Sequence, residues 1–335
     1  MKKQIVLFCC IISMLAVSLL GATPTVYVAG YETDNMTICA WVDGKKKTVP
    51  NVSGDVKSLS IVDGKVYILG SSNAKPCYWA DGVKTELPLA EVPKEAYTSS
   101  GEAYYLTIID GIFYVCGETE YNIPEGSGAL IYTLWVNGNP RRVENRTMID
   151  TTGVSYTVSN GKAYAAVSWI DTETNKRFVD TIINGKATKL SGNGSIASDI
   201  TVSGKNVYVA GRHTSGGLNR ACFWADGRQV ELAGGKASRA TSIFVATGKV
   251  YVSGYYYDTA NRACYWVNGV KKDLEGGTIS GAVDDSAKLP ITVYNGKVYI
   301  AGYYYEGKTK KACYWVDGKK VDLPGGSKAV AIAVQ

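Results

Sequence analysis

Side chains able to do chemistry are few in this chain of 335 residues. It holds one histidine, His213, which leaves no multi-histidine metal site and gives imidazole acid–base chemistry a single place to act. Carboxylates offer the other route: Asp284-Asp285, with Glu118, Glu120 and Glu125, could supply a pair for glycoside cleavage. Adjacent acids in Gly/Ser-rich segments are ordinarily just solvated, so no catalytic residue, metal or cofactor is assigned from the sequence. A binding set stands out more clearly. Trp169, His213, Tyr256 and Tyr304 each lie two residues beyond the end of a repeated Val-Tyr-Val-type strand, and Arg220, Arg262 and Lys311 each stand four residues before a tryptophan. Rings flanked by cations suit a sugar bearing acidic groups or a peptide carboxylate, with packing between loops as the plainer alternative.

The elements that must position these residues come from a repeat. Gly248–Gly277 reads GKVYVSGYYYDTANRACYWVNGVKKDLEGG and returns at Gly296–Gly326 as GKVYIAGYYYEGKTKKACYWVDGKKVDLPGG. Tyr27, Tyr67, Tyr114, Tyr164, Tyr208, Tyr251 and Tyr299 mark seven units spaced by about 45 residues, a period of propellers and solenoids. Trp41, Trp79, Trp135, Trp224, Trp266 and Trp315 mark the same units, with Ile182 replacing the tryptophan of the fourth; the third and fourth units are the degenerate ones. In the sixth unit the pattern gives four strands: a, 240–246; b, 250–255; c, 263–267; d, 271–274. Asp-Gly, Asn-Gly and Thr-Gly pairs join a to b, as at Asp63-Gly64 and Thr247-Gly248. The same pairs join c to d, from Asp43-Gly44 to Asp317-Gly318. They supply the positive φ that two-residue hairpins need. Four antiparallel strands per unit without helical periodicity predict an all-β fold, a seven-bladed β-propeller. The first unit starts at strand b, Val26–Gly30, and the last runs on into Ala329–Val334, a spare strand a that can complete the first blade and close the ring.

The order NGKVYIAG, then a Tyr/Trp strand, then DLPGG resembles the kelch-type propeller repeat. It is closer still to the "YVAG…YW(N/D)G" tandem repeats of exported bacterial proteins, over essentially Thr25–Gln335. The Gly pair that ends strand b in kelch is reduced to Ala301-Gly302 or Ser253-Gly254 here, and the units are shorter. The resemblance implies the fold and carries no activity, since propellers host many. No sialidase-type Asp box, quinone-binding repeat, phosphate loop or nucleophile elbow occurs.

Residues 1–22 read as a signal peptide: Lys2 and Lys3, an apolar run at Ile5–Leu20, then Gly21-Ala22. The expected mature chain is a single propeller domain, 23–335, a monomer without a transmembrane segment, exported to a periplasm, cell surface or medium. Net charge +6, pI near 8.7, is too mild and dispersed to argue for nucleic acid. Cys39, Cys77, Cys222, Cys264 and Cys313 each precede a strand-c tryptophan by two residues and read as small packing residues, while Cys116, on strand b, leaves a local bridge open. Lysines after the c–d turns, such as Lys45, Lys46, Lys47, Lys271, Lys272, Lys319 and Lys320, read as edge protection or as a basic rim for an anionic envelope. The b–c and d–a connections, at 118–128, 168–176, 89–102 and 276–288, vary most. Their face is the expected binding surface, engaging a glycan or protein partner. The alternatives are a polysaccharide hydrolase or lyase using the loop carboxylates, and a structural envelope protein.

Overall fold

The structure is a computed structural model that describes residues 23–32, 37–47, 54–96, 98–124, 128–147, 151–171, 173–192, 194–279 and 288–335. Among these residues the chain forms 28 strands in seven four-stranded antiparallel sheets, the blades of a propeller. Among the described residues no helix is long and apolar enough to cross a membrane. Strands are lettered a to d outward from the axis. Blade 6 is typical, with a at Ala237–Ala246, b at Lys249–Tyr257, c at Asn261–Val267 and d at Val270–Ile279. All four extend beyond the segments the sequence pattern marks, because the ladder continues past the apolar alternation into polar residues.

The turn chemistry is as the sequence implies. In every c–d turn the Asp or Asn sits at φ 47–51° and the following Gly at 74–87°, the left-handed pair of a type I′ hairpin. The Asx side chain does a second job. Oδ1 of Asp43, Asn137, Asp226, Asn268 and Asp317 accepts the amide N–H of Val26, Phe113, Val207, Val250 and Val298, at 2.8–2.9 Å, which ties the outer hairpin to the start of strand b. Blade 5 departs from the pattern at its a–b turn, where Gly204 leads at φ 61° and a lysine comes next, the order that suits a type II′ turn.

Strand b carries a glycine within its length for a reason of space. A Cβ on Gly30, Gly70, Gly117, Gly211 or Gly254 would lie 1.5–2.1 Å from a carbonyl oxygen of strand a. In each of these blades strand a carries a β-bulge at that level, one extra residue opposite the glycine. In blade 4, Val167 stands in place of the glycine. There the bulge moves toward the loop end, between Thr151 and Gly153.

Blades are stitched edge to edge by the repeated tryptophan. The indole N–H of Trp135, Trp266, Trp315 and Trp41 donates to the backbone carbonyl of Pro88, Ala233, Glu275 and Pro324 in the preceding blade, at 2.6–3.1 Å. Each acceptor comes directly after a buried leucine, Leu87, Leu232, Leu274 or Leu323, so the Asp/Glu-Leu-x triplet is a socket for the next blade's tryptophan. The six cysteines among the described residues are buried and free, Cys116 included. Burial pushes the Cys77 thiol up to about 12, so these thiols act as small apolar side chains.

Closure is as the sequence predicts. Gly326–Val334 pairs with Val26–Glu32 as strand a of blade 1. The ladder ends in reciprocal Thr25–Gln335 backbone bonds at 2.8 and 3.2 Å.

Ring closure and turn chemistry can each be tested. Removing residues 329–335 strips most of the inner strand from blade 1, so the truncated chain should unfold or oligomerise; a monomer with an unchanged melting curve would refute the closure. Thr247 holds φ 46°, costly for a β-branched residue. Thr247→Asn should therefore raise stability by about 1 kcal/mol in denaturant titration.

Candidate binding face

The a–b and c–d turns gather on one face of the disc, and the b–c and d–a connections on the other. On the latter the segments expected as loops are partly strand. Blade 3 pairs Thr98–Ile109 with Ile112–Asn122 from Thr98↔Asn122 inward, so 89–102 and 118–128 are shorter loops than the composition suggests. Alternating Ser, Thr, Tyr and Glu residues carry the ladder upward. Glu118 and Glu120 therefore lie on strand b rather than in a loop. Asp284, Asp285 and Glu125 lie outside the described residues.

The seven sequence-predicted residues are distributed blade by blade. His213 faces Arg220, Tyr256 faces Arg262 and Tyr304 faces Lys311 as direct cross-strand partners. His213 Nε2 meets Glu231 Oε2 at 2.9 Å, and Arg220 donates from Nη1 to the Gly235 carbonyl at 3.1 Å. Lys311 pairs with Glu306, whose hydrogen bond raises the lysine's pKa. Tyr256 is 4 % exposed, with Lys271 Nζ 3.4 Å from its ring centroid; Tyr304 is buried with Lys320 Nζ at 3.5 Å. The half-buried Trp169 packs on Phe178, ring centroids 4.9 Å apart, and Lys189 lies 4.0 Å from the Phe178 centroid. In blades 6 and 7, then, a ring two residues past the glycine is capped by a strand-d lysine of the same blade. Blade 1 repeats the theme with a carboxylate, Glu32 bridging Lys46 at 2.8 Å.

The next residue inward was not singled out by the sequence. One residue past the glycine stand Tyr31, Ser71, Glu118, Ser168, Arg212, Tyr255 and Tyr303, and all but Tyr31 are buried. Adjacent strand residues point to opposite sides along a regular strand, yet at the end of strand b in blade 6 residues of both rows border one cavity. Arg212 and Tyr255 from this row open into a pocket of about 200 Å³ at the blade 5–6 boundary, together with Asn219, Ser238, Arg239, Tyr257 and Asn261. Tyr256 also borders it. No acidic side chain lines it among the described residues, and Tyr257 is 44 % exposed at its edge. Asn219 and Asn261 each immediately precede a predicted cation, Arg220 and Arg262.

A second cluster lies at blades 2 and 3. Lys57 and Tyr104, the extra residues of two bulges, line an axial channel of about 320 Å³ walled by all seven inner strands. Tyr104 stacks on Tyr156 at 5.8 Å and donates its hydroxyl to Glu118 Oε1 at 2.5 Å. Lys57 bridges Glu102 at 3.2 Å. Glu118 is only 6 % exposed, and burial lifts its carboxyl to about 7 despite the Tyr104 hydrogen bond. Lower in the channel Asp199 accepts from Ser155 Oγ with Oδ1, and from Ser242 Oγ and the Ile243 amide with Oδ2, at 2.6–3.0 Å. One carboxylate thus ties blades 4, 5 and 6 together.

The outer lysines are partnered as well. Lys84–Glu86, Lys271–Asp273 and Lys320–Asp322 repeat one pair, two residues apart, at 2.9–3.6 Å. Part of the basic rim is thereby neutralised where it stands.

No protein-family model and no curated protein matches the sequence. Solved structures do. A quinonprotein alcohol dehydrogenase-like protein from Bacteroides thetaiotaomicron aligns at TM-score 0.50 and 13% identity, covering 92% of this chain and 77% of that one. The acylaminoacyl peptidase of Pyrococcus horikoshii aligns at 0.49 and 13%, covering 90% of this chain and 50% of its own. The Trypanosoma rangeli sialidase in complex with sialic acid aligns at 0.42 and 12%, covering 89% and 57%. This chain therefore spans about half the length of the last two. Identities this low bear on the fold alone.

The buried Glu118 sets a pH dependence. Its folded pKa, about 7, lies above the ordinary value of 4.5, so its contribution is full below pH 4.5 and is lost as pH rises through about 7. The span is about 3 kcal/mol. Glu118→Gln should keep a Tyr104 hydrogen bond, flatten the loss of stability between pH 5 and 8, and melt above the parent at pH 8.

Proposed function

We propose that this protein is an exported, monomeric, non-catalytic binding scaffold whose variable-loop face engages a glycan, with the pocket between blades 5 and 6 as its principal seat. The observation that carries the reading is that pocket. It lies among the b–c and d–a ends, is lined by two arginines, two asparagines, a serine and tyrosines, and has one tyrosine exposed at its edge. Amide and guanidinium groups match sugar hydroxyls and acids, and a tyrosine ring matches a sugar face. Trp169 and His213 extend the same face over blades 4 and 5. Residues 1–22 act as a cleaved leader in this reading, and the site of action is a periplasm or cell surface. Nucleic acid is not a partner. A protein ligand on the same face is the alternative outcome.

A hydrolase acting on polysaccharide has one observation in its favour. Glu118, whose carboxyl burial raises, lies cross-strand from Glu102, which bridges Lys57, so two carboxyl groups stand side by side. Against it, Glu118 does not line the axial channel; Tyr104 stands between.

The deciding experiment is a glycan and envelope-extract screen read by thermal shift, with reducing-end release measured in parallel. The expected result is a ligand-dependent rise in melting temperature without turnover, abolished by Tyr257→Ala in a chain that melts like the parent. Release of reducing ends that Glu118→Gln removes would replace the scaffold with the hydrolase. Absence of binding at micromolar protein would end the glycan reading.

A further inference from the structure

We infer that the cleft between blades 1 and 2, on the turn face of the disc, is a binding site for a small phenol. It lies on the side away from the variable loops and goes beyond the glycan reading. The cleft measures about 180 Å³ and is bordered by Tyr27, Ala40, Val66, Ile68, Trp79 and the turn glycine Gly82, among others. Ile68 and Trp79 are buried, whereas Tyr27 and Val66 are half-buried, so it opens to solvent along the turn face. An apolar cavity of roughly 150 Å³ is enough to take one benzene ring.

The repeat itself says what fits. Directly before the strand-c tryptophan stand Tyr78, Phe223, Tyr265 and Tyr314 in blades 2, 5, 6 and 7. Each of these rings packs on the following blade. Tyr78 lies 4.8 Å from Phe113, centroid to centroid, in a cluster with Val115 and Trp135. Phe223 joins Val252 and Trp266; Tyr265 joins Val298, Ile300 and Trp315; Tyr314 joins Val26, Val28 and Trp41. Ala40 is the counterpart in blade 1, and it packs with Val66, Ile68 and Trp79, the same three positions of blade 2. Leu134 and Thr181 hold the position in blades 3 and 4, so alanine occurs in blade 1 alone. The cleft is therefore the place of a missing ring, in a junction built to receive one.

The oxygen end of the ligand is set as well. In blade 6 the ring reaches the c–d turn of the following blade, where a Cβ on Gly318 would lie 3.8 Å from Cε1 of Tyr265. Burial first, and then the turn aspartate of the following blade, Asp317 or Asp43, push the Tyr265 and Tyr314 phenols up. Asp81 and Gly82 are the corresponding turn residues of blade 2, and both border the cleft. A phenol seated where the ring is missing places its hydroxyl beside that turn. Asp81 already pairs with Lys65 at 3.6 Å, so recognition rests on burial of the ring rather than on an ion pair. A sugar, hydroxylated around its whole edge, would leave polar groups unpaired in such a slot.

The test uses the full chain and calorimetry with phenol and with cyclohexanol, its non-planar counterpart. The expected result is saturable binding of phenol at a single site, several-fold tighter than that of cyclohexanol. Ala40→Phe supplies the missing ring from the chain itself. It should abolish phenol binding while leaving the melting temperature unchanged or raised, as cavity filling does. Val66→Phe, which gives blade 2 the residue that blade 3 has as Phe113, closes the cleft from its other wall and serves as the second variant. Absence of saturable phenol binding to the parent overturns the site, and so does equal affinity for the two probes. Phenol binding that survives in a folded Ala40→Phe or Val66→Phe chain also overturns it, by placing the ligand elsewhere.

Discussion

The close approach of strand a to strand b, where a carbonyl occupies the space a Cβ would need, is the constraint on which the wheel depends. A flat ladder would keep the inner strands in simple alternation. The bulge opposite the glycine in blades 1, 2, 3, 5 and 6 adds one residue and re-aims the side chains on its loop side. Lys57 and Tyr104 are such extra residues, and both face the axis. Ser198 and Thr241 hold the same position in blades 5 and 6, and Thr241 then accepts the Leu289 amide that brings blade 7 against blade 6. The mouth of the channel and the wall of the blade 5–6 pocket are therefore made by one backbone device. Blade 4, with Val167 for glycine, displaces the device instead of losing it, so the ring tolerates a degenerate unit without a gap.

Cations and rings in this molecule are distributed by a second rule. Lysines of strand d turn back over aromatic rings of strands b and c, as Lys271 does on Tyr256 and Lys320 on Tyr304. They also pair with an acid two residues ahead. A lysine so placed covers apolar surface with its stem and keeps its charge at the edge. The basic excess of the sequence is thus largely engaged within the blades. Two clusters among the described residues depart from this rule, the arginine-lined pocket of blades 5 and 6 and the carboxyl cluster of blade 3.

The fold was legible because a hairpin turn and an alternating strand are local. Asp-Gly and Asn-Gly dictate φ at their own positions, and Tyr/Trp spacing counts the blades. Even closure could be read, since AVAIAV at the end and a missing first strand are complementary. The site was legible only as a neighbourhood. Reading two residues past the glycine found His213 and Tyr256, of which Tyr256 borders the pocket; Arg212 and Tyr255, one residue past the glycine, border it too and went unread. A single step along a strand reverses the face, and composition does not report which face a bulge leaves toward the axis. Arg239 carried no signal of its own: it precedes the regular part of strand a, and its role comes from the pocket it shares with blade 5. Glu118 reads as a loop residue because its alternation with Thr119 and Glu120 looks polar throughout, although the strand buries it.

The pairing of Val26–Glu32 with Gly326–Val334 has a bearing on how the wheel is made. Its partners are some 300 residues apart, the longest-range ladder in the molecule. Non-local pairing of this kind slows folding, since a large loop must close before the contact rewards it. Blade 1 cannot be finished while the last strand is still being synthesised. Until then its strand b lacks its inner partner, and blade 7 lacks the neighbour whose Trp41 fills its Pro324 socket. A nascent chain in that state is an open arc. It is poorly committed to its final shape, and it becomes a closed disc only when the last strand pairs with the first.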